Sequence, residues 1–263
     1  MTNLQPRVTI VTVNYNMRDG LEKTIQSVTS QTYKNIEYIV VDGASNDGSI
    51  DTIRRHEDRI AKWTSEPDKN LYDAMNKGVA AATGEWLLFM NSGDFFADEM
   101  VVADVFSGQL ERCDIVYGHV VWRYERQEFE QIVRAESPEI LPKRMFCSHQ
   151  SLFARTELLR QYPLNLMLLI SDYDFLVRCV SLRKQFLLVD RTIAVITKGG
   201  RSDVARPVVL RQQQQVLAKY GLLTWAARLK YPFIVAYSSA LLILREMLPQ
   251  RWACWILSQK LRR

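Results

Sequence analysis

Cysteine and histidine are scarce. Among 263 residues there are four cysteines, Cys113, Cys147, Cys179 and Cys254, and three histidines, His56, His119 and His149. The cysteines stand singly, with neither a CxxC pair nor the close spacing of a disulfide-stapled scaffold, and are read as reduced thiols in cytosol. No two histidines fall at ligand spacing, which argues against a zinc site built from His and Cys; any metal should sit on carboxylate and phosphate oxygens. Glycine-rich phosphate loops are also missing. No GxGxxG follows the first apolar run and no GxxxxGK[ST] occurs, which removes the usual dinucleotide and P-loop signatures. Met1 to Arg7 lack the apolar core of a signal peptide, so the chain is not expected to be secreted. The tail segment Tyr231–Leu244 is apolar, but its 14 residues include Pro232, Ser238 and Ser239 and fall short of the ~20 needed to span a bilayer.

What is present suits a globular protein: 48% apolar and 24% charged residues can bury a substantial core in one large domain or two interlocked halves. The formal charge of +5 is unevenly placed. From Lys219 onward eight basic residues face one acid, Glu246, giving that stretch +7 and leaving −2 for the rest. A basic end carrying Trp225, Phe233, Trp252 and Trp255 fits an anionic membrane surface better than a nucleic-acid duplex. The competing reading is a basic helix that caps the core.

Along the chain, apolar runs alternate with helical stretches: Val8–Val13, Leu21–Val28, Ile36–Val41, Ser49–Arg55, Leu71–Ala82 and Trp86–Met90. Runs rich in Val and Ile without polar alternation are what a parallel sheet covered on both faces requires, so the expected class is α/β with a central, mostly parallel sheet. Past Phe106 the repeat weakens into Asp114–Tyr117, a hairpin over Val120–Arg134, a helical stretch Asp172–Leu182, a strand Phe186–Val189 and a helix through Gln212–Gln215. This divides the chain into residues 1–105 and 106–220, the two halves of one domain, and 221–263, a basic amphipathic helical tail.

Ligands on such sheets bind at the carboxyl ends of the strands. Three edges stand out there: Asn14-Tyr15-Asn16, Asp42-Gly43-Ala44-Ser45 and Asn91-Ser92-Gly93-Asp94. Asp42 ends an apolar run, where a carboxylate either accepts from the N–H of a nucleobase or closes an Asx-turn. Asp94 follows a glycine turn and either holds Mg2+ or Mn2+ against phosphate oxygens or caps a helix. Asp172, in Ser171-Asp172-Tyr173-Asp174, either serves as a general base or is an acid favoured by the helix dipole; Asp174 cannot share its helix face and is assigned to structural support, paired with Arg178. His149 is either a donor to a diphosphate or acceptor or a satisfied core histidine. Arg201, in Gly199-Gly200-Arg201-Ser202, is either a flexible phosphate clamp or a solvated loop residue.

Taken together, Val8 through Asn16, Val40 through Ser49, Glu66-Pro67-Asp68, Tyr72 through Gly78, Thr83-Gly84-Glu85-Trp86, His149-Gln150-Ser151-Leu152-Phe153 and Ser171 through Asp174 resemble the family-two glycosyltransferases of the GT-A fold. The resemblance covers roughly residues 6–205. Within the family the chain is similar to bacterial transferases that build exopolysaccharide repeat units on a lipid carrier, the colanic-acid type among them. The resemblance implies an inverting transferase that uses a nucleotide-diphosphate sugar, UDP- or GDP-linked, and Mg2+ or Mn2+. The acceptor would be a polyprenyl-diphosphate-linked saccharide at the inner face of the cell membrane, with no nucleic-acid partner. By residue, it implies Thr12, Asn14, Asp42, Asn91, Asp94 and His149 at the nucleotide sugar, Asp94 at the metal, and Asp172 as catalytic base. Acids frequent in the family are replaced by Asn91, Gly93 and Ser171, which thins the metal motif and raises the alternative of a non-catalytic nucleotide-sugar-binding or scaffold subunit. No QxxRW motif occurs, which argues against a processive synthase.

Overall fold

In a computed structural model of the chain, residues 5–108, 110–124, 128–197 and 206–225 are described, with some positions between 227 and 236. They belong to two compact units, Met1–Gly200 and Arg201–Arg263.

The first unit begins with the expected alternation of strand and helix. β1 (Val8–Asn14), α1 (Arg18–Thr29), β2 (Ile36–Asp42), α2 (Ser49–Arg55), β3 (Lys62–Ser65), α3 (Leu71–Ala81) and β4 (Trp86–Phe89) follow one another. Every residue of β1 and β4 is buried, as strands covered on both faces demand. Then come β5 (Phe95–Phe96), α4 (Val101–Val105), β6 (Ile115–Tyr124), β7 (Phe129–Val133), β8 (Leu152–Arg155), α5 (Thr156–Gln161), α6 (Ser171–Ser181) and β9 (Phe186–Thr197). The strands form one nine-stranded sheet in the order β3-β2-β1-β4-β8-β6-β9-β5, with β7 paired to β6. Pairing is parallel from β3 through β4, then antiparallel at β4–β8, β8–β6, β6–β7 and β5–β9; β6–β9 is again parallel. The mostly parallel sheet expected from the sequence is therefore its first half, and the second half is mixed. The hairpin expected over residues 120–134 is β6–β7, and β9 runs eight residues past Val189 because its far end pairs with β5 and β6.

Helices cover both faces. Leu21 and Ile25 of α1 and Ile53 of α2 join Val8, Ile10, Val40, Trp86 and Leu88 in one apolar cluster. On the other face Gly78 of α3 sits so close to β1 that a Cβ there would lie 2.3 Å from a Val11 methyl carbon. Asn70 caps α3, its side chain accepting from the Tyr72 and Asp73 N–H groups. In the second unit, α7 (Arg206–Lys219) ends with Leu222 N–H on Leu217 O and Gly221 N–H on Ala218 O. No helix among the described residues is long and apolar enough to cross a membrane.

At the amino ends of the strands, the Glu37 carboxylate is 1% exposed. It accepts from Thr9 Oγ1 (2.7 Å), Thr83 N (2.6 Å), Thr83 Oγ1 (2.8 Å) and Gly84 N (3.2 Å). Burial pushes its pKa up, but the Thr9 and Thr83 hydrogen bonds and the nearby Arg7 charge outweigh that and hold it below the ordinary 4.5. A depressed carboxylate contributes stability that is complete above its ordinary pKa and drains as pH falls through the folded value. Glu37→Gln is expected to cost about 2–4 kcal/mol at pH 7. In urea melts the gap to the parent should narrow below about pH 4.5; a gap that widens on acidification would refute this assignment.

Candidate active site

The carboxyl ends of the parallel strands carry the polar residues singled out in the sequence. Asn14 and Asp42 end neighbouring strands in register. The Asp42 side chain is fully buried and takes four hydrogen bonds: Asn14 Nδ2 (2.7 Å) and Ser45 Oγ (2.6 Å) on Oδ1, Ser45 N (2.9 Å) and Ser65 Oγ (2.7 Å) on Oδ2. Ser45 Oγ in turn accepts from Asn16 N at 2.8 Å. Two non-glycine residues of this edge, Asn16 (φ 49°) and Ala44 (φ 60°), lie in the left-handed region, where backbone strain concentrates at functional edges. Asp42 ties strand ends together, with both carboxylate oxygens hydrogen-bonded within the protein. Thr12 is also fully buried, on the β1 face that carries Val8 and Ile10, and its Oγ1 accepts the Tyr38 hydroxyl at 3.0 Å. Asn14 stays at the edge, with its Oδ1 buried and unpartnered.

The turn after β4 is built as a cradle of oxygens. Asp94 N–H closes it on Asn91 O (3.0 Å), and Thr24 Oγ1 of α1 donates to Asp94 O (2.7 Å). The Asp94 side chain is 7% exposed; its Oδ2 accepts from Gln150 Nε2 (2.7 Å) and its Oδ1 from Thr197 N (3.2 Å). Asn91 Oδ1 and Ser92 Oγ are buried without hydrogen-bond partners among the described residues. Two orphaned oxygens beside an oriented carboxylate fit a hard divalent cation, which takes oxygen ligands and shares them with substrate phosphates. No cluster of three His, Cys, Asp or Glu side chains suited to a metal occurs among the described residues, so the protein would supply one charged ligand and the diphosphate the rest.

Asp172 opens α6 and faces this turn through His149. The Asn91 amide donates to His149 Nε2 (3.0 Å), which places the ring proton on Nδ1, 3.2 Å from Asp172 Oδ2. Asp172 Oδ1 accepts from the Tyr72 hydroxyl (3.2 Å) and Tyr173 N–H (3.0 Å). The segment leading to Asp172 is pinned to α3: Asn70 Nδ2 donates to Leu166 O (2.8 Å), Tyr72 OH to Leu169 O (2.9 Å), and Asn76 exchanges hydrogen bonds with both backbone groups of Leu164 (2.8 and 2.9 Å). Behind the pair lies an apolar pocket of about 30 Å3, lined by Met75, Leu87, Phe89 and Phe175. Burial against it raises the Asp172 pKa, yet the hydrogen bond from His149, with the Tyr173 and Tyr72 donors, leaves it below the ordinary 3.8. For Tyr72, burial and the Asp172 charge both push the hydroxyl pKa up and keep it protonated. Asp174 is buried, and the Arg178 guanidinium stacks on Tyr162 at 5.1 Å.

The fold thus brings Asn91, Asp94, His149 and Asp172 into one chain of contacts, beside an edge formed by Asn14 and Asp42. Arg201 and its glycine loop lie outside the described residues. Gln150, read with His149 as a donor to the diphosphate or acceptor, donates instead to Asp94 in this structure. Tyr72, Thr197 and Ser65 also hold the site and carried no assigned role; Tyr72 fell inside a quoted motif, which was its only signal. A roomier open cleft of about 700 Å3 sits at the amino end of β4, lined by Glu85, Arg112, Asp114, Arg155 and Lys184. Its walls pair with themselves, Arg155 with Glu85 and Lys184 with Asp114, and none of the candidate groups lines it.

Comparison with known proteins agrees with this geometry. The chain is 33% identical over 183 residues to a PGL/p-HBAD biosynthesis glycosyltransferase of Mycobacterium tuberculosis, covering 67% of this chain and 70% of that one. It is 44% identical over 99 residues to an uncharacterized glycosyltransferase of the same organism, a match over 37% of this chain that spans 38% of the relative's length. Among solved structures the fold is similar to a mannosyltransferase from Pyrobaculum calidifontis in complex with GDP-Man and Mn2+, with a TM-score of 0.67 at 17% identity over 99% of this chain and 81% of that one. Residues 9–184 match the family described as Glycosyl transferase family 2; with a GT-A fold under that match, the chain belongs to glycosyl transferase family 2.

Proposed function

We propose that the chain is an inverting, metal-dependent hexosyltransferase that moves one sugar from a UDP- or GDP-sugar to a lipid-linked oligosaccharide at the inner face of the bacterial membrane, in exopolysaccharide assembly of the colanic-acid kind. The observation that carries the reading is the Asp172 carboxylate, linked through His149 to the oxygen-lined turn Asn91–Asp94. A cation held by Asp94 with the oxygens of Asn91 and Ser92 would neutralise the departing diphosphate. Asp172 accepts the proton of the acceptor hydroxyl as that oxygen bonds to the anomeric carbon. The bond from that carbon to the diphosphate oxygen breaks, the nucleoside diphosphate leaves with the electron pair, and in-line attack inverts the centre. His149 and Tyr72 hold Asp172 from either side, so its orientation is set before substrate arrives.

Asp172→Asn should lower turnover by about 10²–10⁴-fold while nucleoside-diphosphate binding in Mn2+ stays within about threefold. In the parent, the acid limb of kcat/KM assigned to Asp172 should lie below 3.8, because a depressed carboxylate stays ionised down to that range. Full activity in Asp172→Asn would eliminate the base assignment; binding without any turnover in the parent would favour a nucleotide-sugar-binding subunit.

The membrane reading draws on the second unit. Trp225, Leu229 and Phe233, spaced four apart, are 76%, 62% and 77% exposed, an apolar stripe of the kind that enters a membrane interface. Arg228 lies within it, and much of the remaining basic, aromatic tail falls outside the described residues. Replacing Trp225 and Phe233 together by Ala should reduce co-sedimentation with phosphatidylserine vesicles severalfold and leave phosphatidylcholine binding weak throughout. Unchanged sedimentation would remove this stripe from the membrane contact.

A further inference from the structure

No charged residue occurs between Arg160 and Asp172, and the turn just ahead of the candidate base is Leu166-Met167-Leu168-Leu169. Met167 is 86% exposed, the most of any large apolar side chain among the described residues, and Leu169 is 54% exposed. Leu71, 45% exposed, follows the Asn70 whose side chain holds Leu166 O. Apolar side chains grouped in water this way mark an interaction surface. This one borders the site itself: the Tyr72 hydroxyl lies 2.9 Å from Leu169 O and 3.2 Å from Asp172 Oδ1.

The backbone of the same turn is bonded inward. Asn76 pairs with both backbone groups of Leu164, and Ser171 Oγ accepts from Asn165 N–H. Asn165 O accepts from Leu168 N–H (3.3 Å) and Asn165 Oδ1 from Met167 N–H (3.0 Å). Asn70 and Tyr72 donate to the carbonyls of Leu166 and Leu169. A loop that stays in water can leave such groups to the solvent. One that enters hydrocarbon has to satisfy them within the protein while its apolar side chains point outward, and that is the combination found here. The occupant is a surface rather than a single chain. Met167 projects from a turn, and the apolar pocket behind Asp172, about 30 Å3, has room for no more than a water-sized group.

We propose that residues 166–169 form a membrane lip, with Met167 and Leu169 entering the acyl edge of the bilayer that carries the acceptor, so that Asp172 is held at the lipid surface. The proposal deepens the lipid-linked-acceptor reading above and rests on it. It gives the first unit a membrane contact of its own, made by apolar side chains and separate from the stripe at Trp225.

The test is co-sedimentation of the full chain with equimolar phosphatidylcholine and phosphatidylserine vesicles in high salt, which screens the basic tail. Calorimetric titration with UDP and GDP in Mn2+ accompanies each variant. Met167→Gln combined with Leu169→Gln should lower vesicle partition about tenfold. Met167→Trp should raise it severalfold, because indole favours the interface, and it carries the test if the double variant does not fold. Nucleoside-diphosphate affinity should stay at the parent value in both. Partition unchanged in both variants, or nucleotide affinity that falls in step with partition, overturns the lip. A parent dimer that the double variant dissociates, seen by light scattering, makes the turn a protein interface and overturns it as well. A parent that binds UDP or GDP but no vesicles removes the lip and leaves the transferase reading standing. Lip-dependent vesicle binding by a parent that takes up neither diphosphate supports the lip and overturns the nucleotide-sugar reading.

Discussion

The site depends on a carboxylate bound on all sides by its own chain. Asp42 is fully buried at the end of β2, and its four donors come from the end of β1, the turn after β2 and the end of β3. An unpaired carboxylate in that position would be prohibitively costly, so the three strand ends can settle only where all four donors reach it. That condition sets the floor of the nucleotide crevice. Glu37 imposes the counterpart at the other end of β2, gathering Thr9, Thr83 and Gly84. Two buried carboxylates thus clamp the parallel half of the sheet at both ends, and its apolar faces, with Gly78 against Val11, fill the space between.

The second half is joined to this frame by polar links. Gln150 and the Thr197 N–H orient Asp94, and His149 spans from Asn91 to Asp172. The turn that would grip a diphosphate and the acid that would receive a proton are therefore positioned by one short segment, residues 149–150. That segment leads into β8, the strand that makes the antiparallel turnover of the sheet beside β4. The link orders a turn with a single acid: neighbouring amides hold the Asp94 carboxylate, and the buried oxygens of Asn91 and Ser92 lie in the same turn.

Much of the frame was legible in the residues. Runs such as Val8–Val13 and Ile36–Val41 read as doubly covered parallel strands because nothing polar interrupts them, and the acids just after such runs marked the crevice. Short elements were harder. β8 has four residues and β5 two, too few for a period to show, so the antiparallel pairs β4–β8 and β5–β9 went unseen while the β6–β7 hairpin was legible. The place of Asp42 at a strand end is visible in the sequence and its donors are not: Ser65 is 23 residues away.

The sequence by itself determined the α/β class and the order of strands and helices over residues 8–89. Those follow from local composition and periodicity, which need no partner. The tertiary structure decided which acids are spent on holding the fold, as Asp42 and Glu37 are. Burial and hydrogen-bond saturation depend on groups far apart in the chain, and only folding brings them within 3 Å of one another.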